Sequence, residues 1–349
     1  MMKTLLAVGE LRDWDSYKKF YRQRRLFSKY GFRFKSVDYA DILKDKLPKI
    51  KAREVVIFFF FPFTYWDKKI ETKIYKGVYG NVSFYNKFKE FWKIIYDKIN
   101  SFYPDKRIFY VNHPAGISLD RDKEATKKLL SGRGVQVSKP YFTRDLDKIT
   151  GLLDQGKKLF VKVRYGSMGK GITYLEKDRW FTNFRFRSGR IISKKSDYGW
   201  TFKEITGNKR FLRELLKQDI IIEETVNPWL LKGRKFDLRL YVCFGKVLYI
   251  YPRSNDTKEI TTNISQGATG ENSKFLHSIP PRIIEEAVKN AIKATKAMNL
   301  NFAGVDIMPN VDCKSVTVIE VNTFPGFPKV RKFNLAKYLI REIVSQKWL

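Results

Sequence analysis

The stretch VTVIEVNTFPG, residues 316–326, joins an apolar β-branched run to two polar side chains. Side chains of a strand point alternately to its two faces, so Val318, Glu320 and Asn322 share one face. A carboxylate and an amide lie side by side on an otherwise apolar strand. This arrangement indicates that both groups serve one ligand.

A third oxygen-bearing side chain belongs to the preceding strand. Asp306 ends the apolar run at 302–305, and antiparallel pairing through a turn near residues 310–314 would bring it close to Glu320. Carboxylate and amide oxygens at the ends of adjacent strands suit Mg²⁺, because that ion completes its octahedron with ligand phosphates. The alternatives are a surface hairpin with charged ends and a carboxylate bound to a nearby Lys or Arg.

The composition is that of a globular chain. Its 349 residues predict two or three units with sizeable cores, and a hydrophobic content of 43% excludes a disordered protein. The longest apolar run, at 55–63, is shorter than the roughly 20 residues of a membrane span, and no secretory segment is recognised. Cys243 and Cys313 are interpreted as reduced thiols of a cytoplasmic protein. His113 and His277 are too few for a zinc site or a histidine-based nucleophilic triad.

The net charge of +33 is extreme for an enzyme of small molecules. Either the composition is biased toward lysine, or the partner is acidic: nucleic acid, an anionic membrane surface or an acidic polypeptide. Basic and aromatic residues alternate most densely in the segment 177–217. This segment predicts a grip on a polyanion or single-stranded nucleic acid, or the amphipathic cover of a lid.

Strand and helix patterns predict an α/β (α+β) architecture. The N-terminal part alternates strand, helix, strand, helix and strand, at 3–9, 16–30, 55–61, 87–99 and 107–114, which predicts a small open parallel layer. Strands at 159–176, 218–226, 235–254, 302–309 and 315–322 follow, with helices at 120–135, 281–300 and 333–346. The predicted domains are 1–117, 118–224 and 225–349.

A glycine-rich turn at 166–171 joins two of these strands. Glycines let backbone N–H groups approach an anion closely, although a plain structural turn is the alternative. The turn is neither a Walker A loop nor a dinucleotide fingerprint, because no Gly-Lys-Ser/Thr and no helix follow it. Lys162, on the strand before it, is predicted to face inward and to need an anionic partner such as a phosphate.

The hairpin at 235–254 carries charged groups on one face. Period two places Lys235, Asp237, Arg239 and Tyr241 together. A guanidinium facing a carboxylate-lined site can hold a phosphoryl group through two hydrogen bonds. An Asp–Arg surface pair is the alternative.

The chain from Asn112 onward resembles the ATP-grasp superfamily, most closely the carboxylate–amine ligases of the ribosomal-protein-modifying α-L-glutamate ligase type. The likeness rests on motifs in a fixed order: Asn-x-Pro and Asp-Lys-x-x-Thr-x-x-Leu-Leu at 112–130, Lys162 before the glycine loop, Ile-Glu-Glu-Thr-Val at 222–226, Asp-Leu-Arg at 237–239, Gly-Val-Asp at 304–306 and Glu-Val-Asn-x-x-Pro-Gly at 320–326. The segment 233–242 also resembles tubulin-tyrosine-ligase-like enzymes. The resemblance implies an ATP-grasp fold preceded by a small α/β domain.

The resemblance also implies a role for each matching residue. ATP would be bound by Lys123, Lys162, Ser167, Gly169, Gly171, Glu223, Glu224, Thr225, Val226 and Asp237, with the backbone of 223–226 reading adenine. Two Mg²⁺ ions, for which Mn²⁺ can substitute, would be bound by Asp306, Glu320 and Asn322. Arg239, Arg253 and Asn263 would act on the transferred phosphoryl group and the acyl phosphate.

The implied reaction activates a carboxylate as an acyl phosphate and joins it to an amine, releasing ADP and phosphate. The acceptor is predicted to be a small amine, a peptide or a protein, and oligomerisation is left open. One motif departs from the glutamate ligases: their Arg-Ser-Asn-x-x-x-Gly is Thr-Thr-Asn-Ile-Ser-Gln-Gly at 261–267, without the basic group. The alternative function is a catalytically reduced ATP-grasp protein that binds nucleic acid or another polyanion.

Overall fold

The computed structural model describes residues 2–10, 15–72, 75, 77–192, 201–331 and 333–347. The middle of the basic segment, residues 193–200, therefore lies outside the described residues.

The N-terminal layer is a parallel sheet with helices on its faces. Its elements are β1 (Lys3–Val8), α1 (Asp15–Arg22), β2 (Phe32–Val37), α2 (Tyr39–Leu43), β3 (Glu54–Phe59), α3 (Phe63–Tyr65), α4 (Val82–Phe102), β4 (Arg107–Val111) and α5 (Pro114–Ile117). The strand order is β2-β1-β3-β4. Because β3 has a neighbour on each side and helices above and below, it is apolar on both faces. The predicted parallel layer is confirmed.

Two details of this layer differ from the prediction. The helix predicted to end at Gly31 ends at Arg22 and is followed by two 3₁₀ turns. Gly31 has a φ of 76°, a conformation that favours glycine. It lies directly before β2. The sequence pattern missed β2 because it is an edge strand in which three of the four middle residues, Arg33, Lys35 and Ser36, are polar and at least partly exposed.

The middle layer is an antiparallel sheet in the order β11-β8-β7-β6-β12-β5. Its elements are α6 (Lys123–Gly132), β5 (Pro140–Tyr141), α7 (Leu146–Asp154), β6 (Leu159–Val163), β7 (Ile172–Glu176), β8 (Arg179–Thr182), β9 (Arg185–Arg187), β10 (Arg190–Ile192), β11 (Lys203–Glu204), α8 (Lys209–Leu216) and β12 (Ile220–Glu224). Leu159, Val161 and Val163 are buried in the hydrophobic core with residues of α7 and α8. The alternation of β6 therefore sends Phe160 and Lys162 to the opposite face.

The C-terminal layer is a second sheet, in the order β16-β15-β14-β17-β18 with β13 paired to β14. Its elements are β13 (Leu230–Leu231), β14 (Arg234–Cys243), β15 (Lys246–Asn255), β16 (Thr269–Gly270), α9 (Ser273–His277), α10 (Pro281–Ala297), β17 (Phe302–Pro309), β18 (Val316–Asn322) and α11 (Leu335–Ser345). One face packs on α10, through Leu238, Leu240 and Val305 among others. The other face therefore carries the charged side chains of β14, β15 and β17.

The predicted antiparallel pairing of the last two strands is confirmed. Asp306 lies opposite Glu320, and Gly304 lies opposite Asn322. The strand at 316–322 therefore pairs with the strand that carries Asp306, as the sequence predicted.

The register shifts by one residue just after Asp306, so Val318 pairs with Ile307 and lies in the core against α10. The prediction that Val318 shares the face of Glu320 and Asn322 is therefore wrong, because the bulge interrupts the alternation.

Side-chain and helix contacts join the N-terminal and C-terminal layers. The side chain of Asn112 donates to the carbonyl of Phe302 at 2.7 Å and accepts from the N–H of the same residue at 2.8 Å. Helix α11 packs its apolar face against residues of α1, β1 and β3 as well as β14. Each sheet lies within one of the three predicted domains, and the exact boundaries stay a prediction.

Candidate active site

A cavity of about 690 Å³ lies between the middle and C-terminal sheets, a size within the range of small-molecule sites. The predicted site residues that line it are Lys123, Lys162, Ser167, Gly169, Glu223, Glu224, Thr225, Val226, Asp237, Arg253, Asn263, Asp306 and Glu320. Of the predicted set, Gly171, Arg239 and Asn322 are not part of this lining. One cavity thus brings together groups separated by nearly two hundred positions in the chain.

A buried carboxylate organises the lysines on the middle sheet. Glu223 binds Lys162 through one oxygen and Lys127 through the other, the latter at 2.8 Å. Ser138 donates to the same carboxylate at 3.2 Å. The resemblance assigned Glu223 to a segment that acts through its backbone, but its side chain is the anchor of two cations.

The sequence analysis missed Lys127. It lies one helical turn after Lys123 on α6, so spacing alone places both ammonium groups on one face of that helix. Lys127 also lines the cavity. The i, i+4 spacing from Lys123 was the available signal.

The charge state of Glu223 makes the stability of the protein depend on pH. Burial alone would raise the pKa of Glu223, but the charges of Lys127 and Lys162 and their hydrogen bonds lower it to about 2. A carboxyl with a lowered pKa stabilises the fold above its unfolded pKa, near 4.5, and loses that contribution as the pH falls toward 2.

We therefore expect the free energy of unfolding to fall between pH 4.5 and pH 2, by about 3 kcal/mol from this group. Denaturant unfolding at a series of pH values measures the loss. Glu223→Gln is the matched variant, in which this part of the pH dependence should disappear. An equal slope in both proteins would contradict the assignment.

Lys123 connects the two halves of the cavity. Its ammonium donates to the carbonyl of Gly166 and lies 3.8 Å from the carboxylate of Glu320. Burial lowers its pKa, an effect opposed by the charge of Glu320. Lys123 begins α6, whose N-cap is the side chain of Asp122.

The glycine loop, residues 166–171, packs tightly against the strand that precedes it. A Cβ on Gly171 would lie 2.7 Å from the side chain of Val163, and one on Gly166 would lie 2.2 Å from it. Gly169 and Gly171 have φ values of 71° and 69°, which are unfavourable for other residues. Glycine is therefore required here both for space and for backbone conformation.

The segment 223–226 borders the cavity, as predicted, but two of its N–H groups already have partners. Glu224 donates to the carbonyl of Lys139 at 2.9 Å, and Thr225 donates to that of Lys158 at 2.8 Å. These two N–H groups therefore stabilise the layer itself. That the other backbone groups of this segment bind adenine stays a prediction.

Two arginines and two aspartates form a buried network on the C-terminal sheet. Arg253 makes two hydrogen bonds of 2.6 Å to Asp237, and Arg239 makes two of 2.7 Å to Asp306. Arg253 also reaches Asp306 at 3.1 Å, and Thr262 donates to Asp237 at 2.6 Å. Each arginine is thus bound to a carboxylate. The Asp237–Arg253 pair is buried, so the alternative of a surface Asp–Arg pair is wrong.

Burial and charge shift the pKa values of this network in different directions, and burial raises the pKa of Asp237 although Arg253 opposes the shift. Burial alone would lower the pKa of Arg253, but Asp237 and Asp306 raise it above its usual value. Burial would likewise raise the pKa of Asp306, but Arg239 and Arg253 lower it. Arg253 and Asp306 are therefore charged at neutral pH, which favours binding of both a cation and an anionic phosphoryl group.

The candidate metal ligands fit a phosphate-bound Mg²⁺. No group of three or more His, Cys, Asp or Glu in the described part of the chain could hold a metal ion by itself. The predicted set supplies two carboxylates, Asp306 and Glu320, and the amide of Asn322. The buried amide nitrogen of Asn322 has no hydrogen-bond partner among the described residues, and this donor suits a phosphate oxygen, while the amide oxygen of the same side chain is the atom that could bind Mg²⁺. Hard oxygen donors that leave positions for phosphates match this ion.

The loop that departs from the glutamate ligases lies over the glycine loop. Gln266 donates to the carbonyl of Gly169 at 3.0 Å and accepts from Thr261 at 2.7 Å. Asn263 caps the 3₁₀ turn that carries Gln266 and lines the cavity. Neutral side chains therefore occupy the place where the glutamate ligases have a basic group.

None of the described helices is both long and apolar enough to cross a membrane.

Comparison with known proteins identifies the family. The family described as "YheC/D like ATP-grasp" matches residues 139–346, more than half of the chain. A curated protein of Thioalkalivibrio sulfidiphilus, named "Probable alpha-L-glutamate ligase", is 29% identical over 221 residues, which are 63% of this chain and 60% of that protein. The chain thus spans about 60% of the length of this curated relative.

Solved structures show the same fold at low sequence identity. The Chryseobacterium gregarium RiPP-associated ATP-grasp ligase, in complex with ADP and a leader and core peptide, has a TM-score of 0.58 at 11% identity and covers 97% of this chain and 96% of its own. The ATP-grasp ligase PsnB, complexed with a phosphomimetic variant of its minimal precursor, Mg and ADP, has a TM-score of 0.53 at 13% identity with coverages of 97% and 96%. These likenesses show that the fold is the ATP-grasp fold.

Proposed function

We propose, from the premise that the chain belongs to the YheC/D-like ATP-grasp family, that it is an ATP-dependent carboxylate–amine ligase. It phosphorylates a carboxylate with ATP and joins the acyl group to an amine. ADP and phosphate are released.

One observation carries the proposal: two opposed sets of charges meet in one cavity. Lysines from α6 and β6 line one side, and the carboxylates Asp306 and Glu320 line the other. They approach within 3.8 Å at Lys123 and Glu320. A triphosphate with its cation needs both sets, since the lysines bind phosphate oxygens and the carboxylates bind the metal.

The residues of the chain supply binding and orientation in both steps. Lys123, Lys162 and backbone N–H groups of the glycine loop hold the phosphates. Asp306, Glu320 and Asn322 would hold Mg²⁺, which when bound neutralises phosphate charge. The proposal includes a second Mg²⁺ ion at this site and the substitution of Mn²⁺ for Mg²⁺.

Bonds and charges balance without a protein nucleophile. A carboxylate oxygen attacks the γ-phosphorus as the bond to ADP breaks, and the amine then attacks the acyl carbon as phosphate leaves with the electron pair. The amine loses one proton, which phosphate can accept. Arg253 and Asn263, which line the cavity, would stabilise the negative charge that develops in each step, and Arg239 would support them from outside the lining.

The proposed acceptor is a peptide or protein amine, or another amine of similar access. The neighbouring structures bound to leader, core or precursor peptides support this class. The positive charge of the chain would favour an acidic polypeptide. An ADP-release screen over amino acids, then peptides and acidic proteins, tests the proposal, and mass spectrometry of the acceptor identifies the bond.

Binding of Mg-ATP is expected to raise the melting temperature. At a ligand concentration of one hundred times Kd, the native state gains about 2.7 kcal/mol. Thermal unfolding with Mg²⁺ and ATP, against Mg²⁺ with inorganic phosphate at the same concentration, measures the shift. An identical melting temperature in both would contradict nucleotide binding in the cavity.

A second function is favoured by the exposed Arg185, Arg187 and Arg190 beside the charge of +33. In that case the chain binds a polyanion and no longer catalyses. Nucleic-acid binding that weakens steeply with salt, without ADP release with any acceptor, would support it. The complete set of site residues supports the ligase instead.

A further inference from the structure

The glycine loop is bound by the N-terminal layer through a buried ion pair. Lys170 lies between two glycines of the loop, and its ammonium donates to Glu71 at 2.9 Å. Both side chains are only 3% exposed. Burying two charges costs desolvation free energy that their attraction often does not recover. Stability alone therefore does not explain this ion pair.

Glu71 is itself fixed by an aromatic residue. The indole N–H of Trp66 donates to the second oxygen of Glu71 at 2.9 Å. The guanidinium of Arg121 lies over the ring of Trp66, 5.0 Å from its centroid. Because Arg121 precedes the phosphate-binding candidate Lys123 by two residues, Glu71 is linked to the site from two directions.

A second set of contacts holds the same loop. The ammonium of Lys170 lies 4.5 Å from the ring centroid of Tyr79, whose hydroxyl is 3.4 Å from that of Ser167. Gly80 approaches the loop so closely that a Cβ there would lie 2.6 Å from the backbone of Gly166. The loop that would cover the phosphates is therefore shaped by residues of another layer.

We propose that Glu71 and Lys170 are positioning residues that hold the glycine loop in the conformation in which its backbone receives the nucleotide phosphates. This inference rests on the proposed function, since it takes the cavity as a nucleotide site. Lys170 belongs to the cavity lining, but its ammonium is bound to Glu71, so both residues would act through the loop. The N-terminal layer acts on ATP binding through this pair.

The test compares two ligands, of which only one carries phosphates that the loop can bind. AMPPNP with Mg²⁺ needs the phosphate contacts, whereas adenosine needs the adenine end alone. In Glu71→Gln and Lys170→Met we expect Kd for Mg-AMPPNP to rise at least about tenfold, and Kd for adenosine to change less than about twofold. Isothermal titration calorimetry measures both constants.

Three further variants separate positioning from folding. Lys170→Arg keeps the charge and should bind Mg-AMPPNP within about threefold of the wild type. The double variant E71Q/K170M leaves no unpaired buried charge, so it decides the matter if the single variants do not fold. Glu214→Gln breaks the exposed pair with Lys217 and should change neither constant.

Each outcome has one meaning. An unchanged Kd for Mg-AMPPNP in the folded double variant overturns the inference, as does an equal loss for adenosine. A wild-type chain that binds no Mg-AMPPNP overturns both the inference and the proposed function. A wild-type chain that binds it, with a loss in the variants confined to the phosphates, supports both.

Discussion

Replacement of Glu320 by alanine is expected to lower Mg²⁺-dependent ADP release by at least about a thousandfold while the chain stays folded. The substitution removes one of the two carboxylates of the predicted metal site. The side chain of Glu320 is 34% exposed, and its one ion pair within the described part of the chain is the 3.8 Å approach to Lys123, so little of the fold depends on it. ADP release with the substrate pair found in the screen measures the loss.

The control is Glu285→Ala on α10, an exposed glutamate remote from the cavity, which should keep full activity. Asp306→Asn is a poorer test, because it weakens the partner of both Arg239 and Arg253 and so disturbs folding as well. Undiminished turnover in Glu320→Ala would remove this residue from the metal site.

Replacement of Lys162 by methionine is expected to reduce kcat/KM for ATP by about 10²–10³. The ammonium of Lys162 faces the cavity from β6, and loss of a charged contact to a developing phosphoryl charge has this order of effect. Folding should survive, because Glu223 keeps its pair with Lys127. Initial rates over a range of ATP concentrations give the value.

Lys158→Met is the comparison within the same cavity lining, since Lys158 lies just before β6 and its ammonium is bound to Glu176 at 2.6 Å in a more exposed position. Its kcat/KM should stay near the wild-type value. Lys127→Met then shows which of the two lysines bound to Glu223 reaches the nucleotide. If Lys162→Met and Lys158→Met have equal effects, Lys162 has no special contact with phosphate.

The features that the sequence predicted are local in the chain. The pairing of Asp306 with Glu320 could be predicted because a short turn joins their strands, whereas the bulge that turns Val318 to the other face could not be predicted from strict alternation. The hairpin around Gly245 is of the same kind, with positive φ at Phe244 and Gly245 as a tight two-residue turn requires. Alternation and turn chemistry act over a few residues and are visible in one sequence.

The features that it missed depend on distant contacts. The partner of Lys170 lies 99 positions away, and no periodicity connects the two. The N–H groups of Glu224 and Thr225 are engaged by the carbonyls of Lys139 and Lys158, which only the folded layers bring near. Motif matching finds the residues around a ligand, but the groups that hold those residues in place come from tertiary packing.

The position of α11 has a consequence for how the protein is made. This helix, Leu335–Ser345, covers apolar residues of the N-terminal layer such as Phe20 and Phe58. Those residues leave the ribosome more than two hundred and fifty positions before the helix that shields them, at about 5–20 residues per second. For many seconds, then, the nascent N-terminal layer exposes an apolar aromatic surface that is prone to aggregation. We expect chaperones to bind this surface until the last helix emerges.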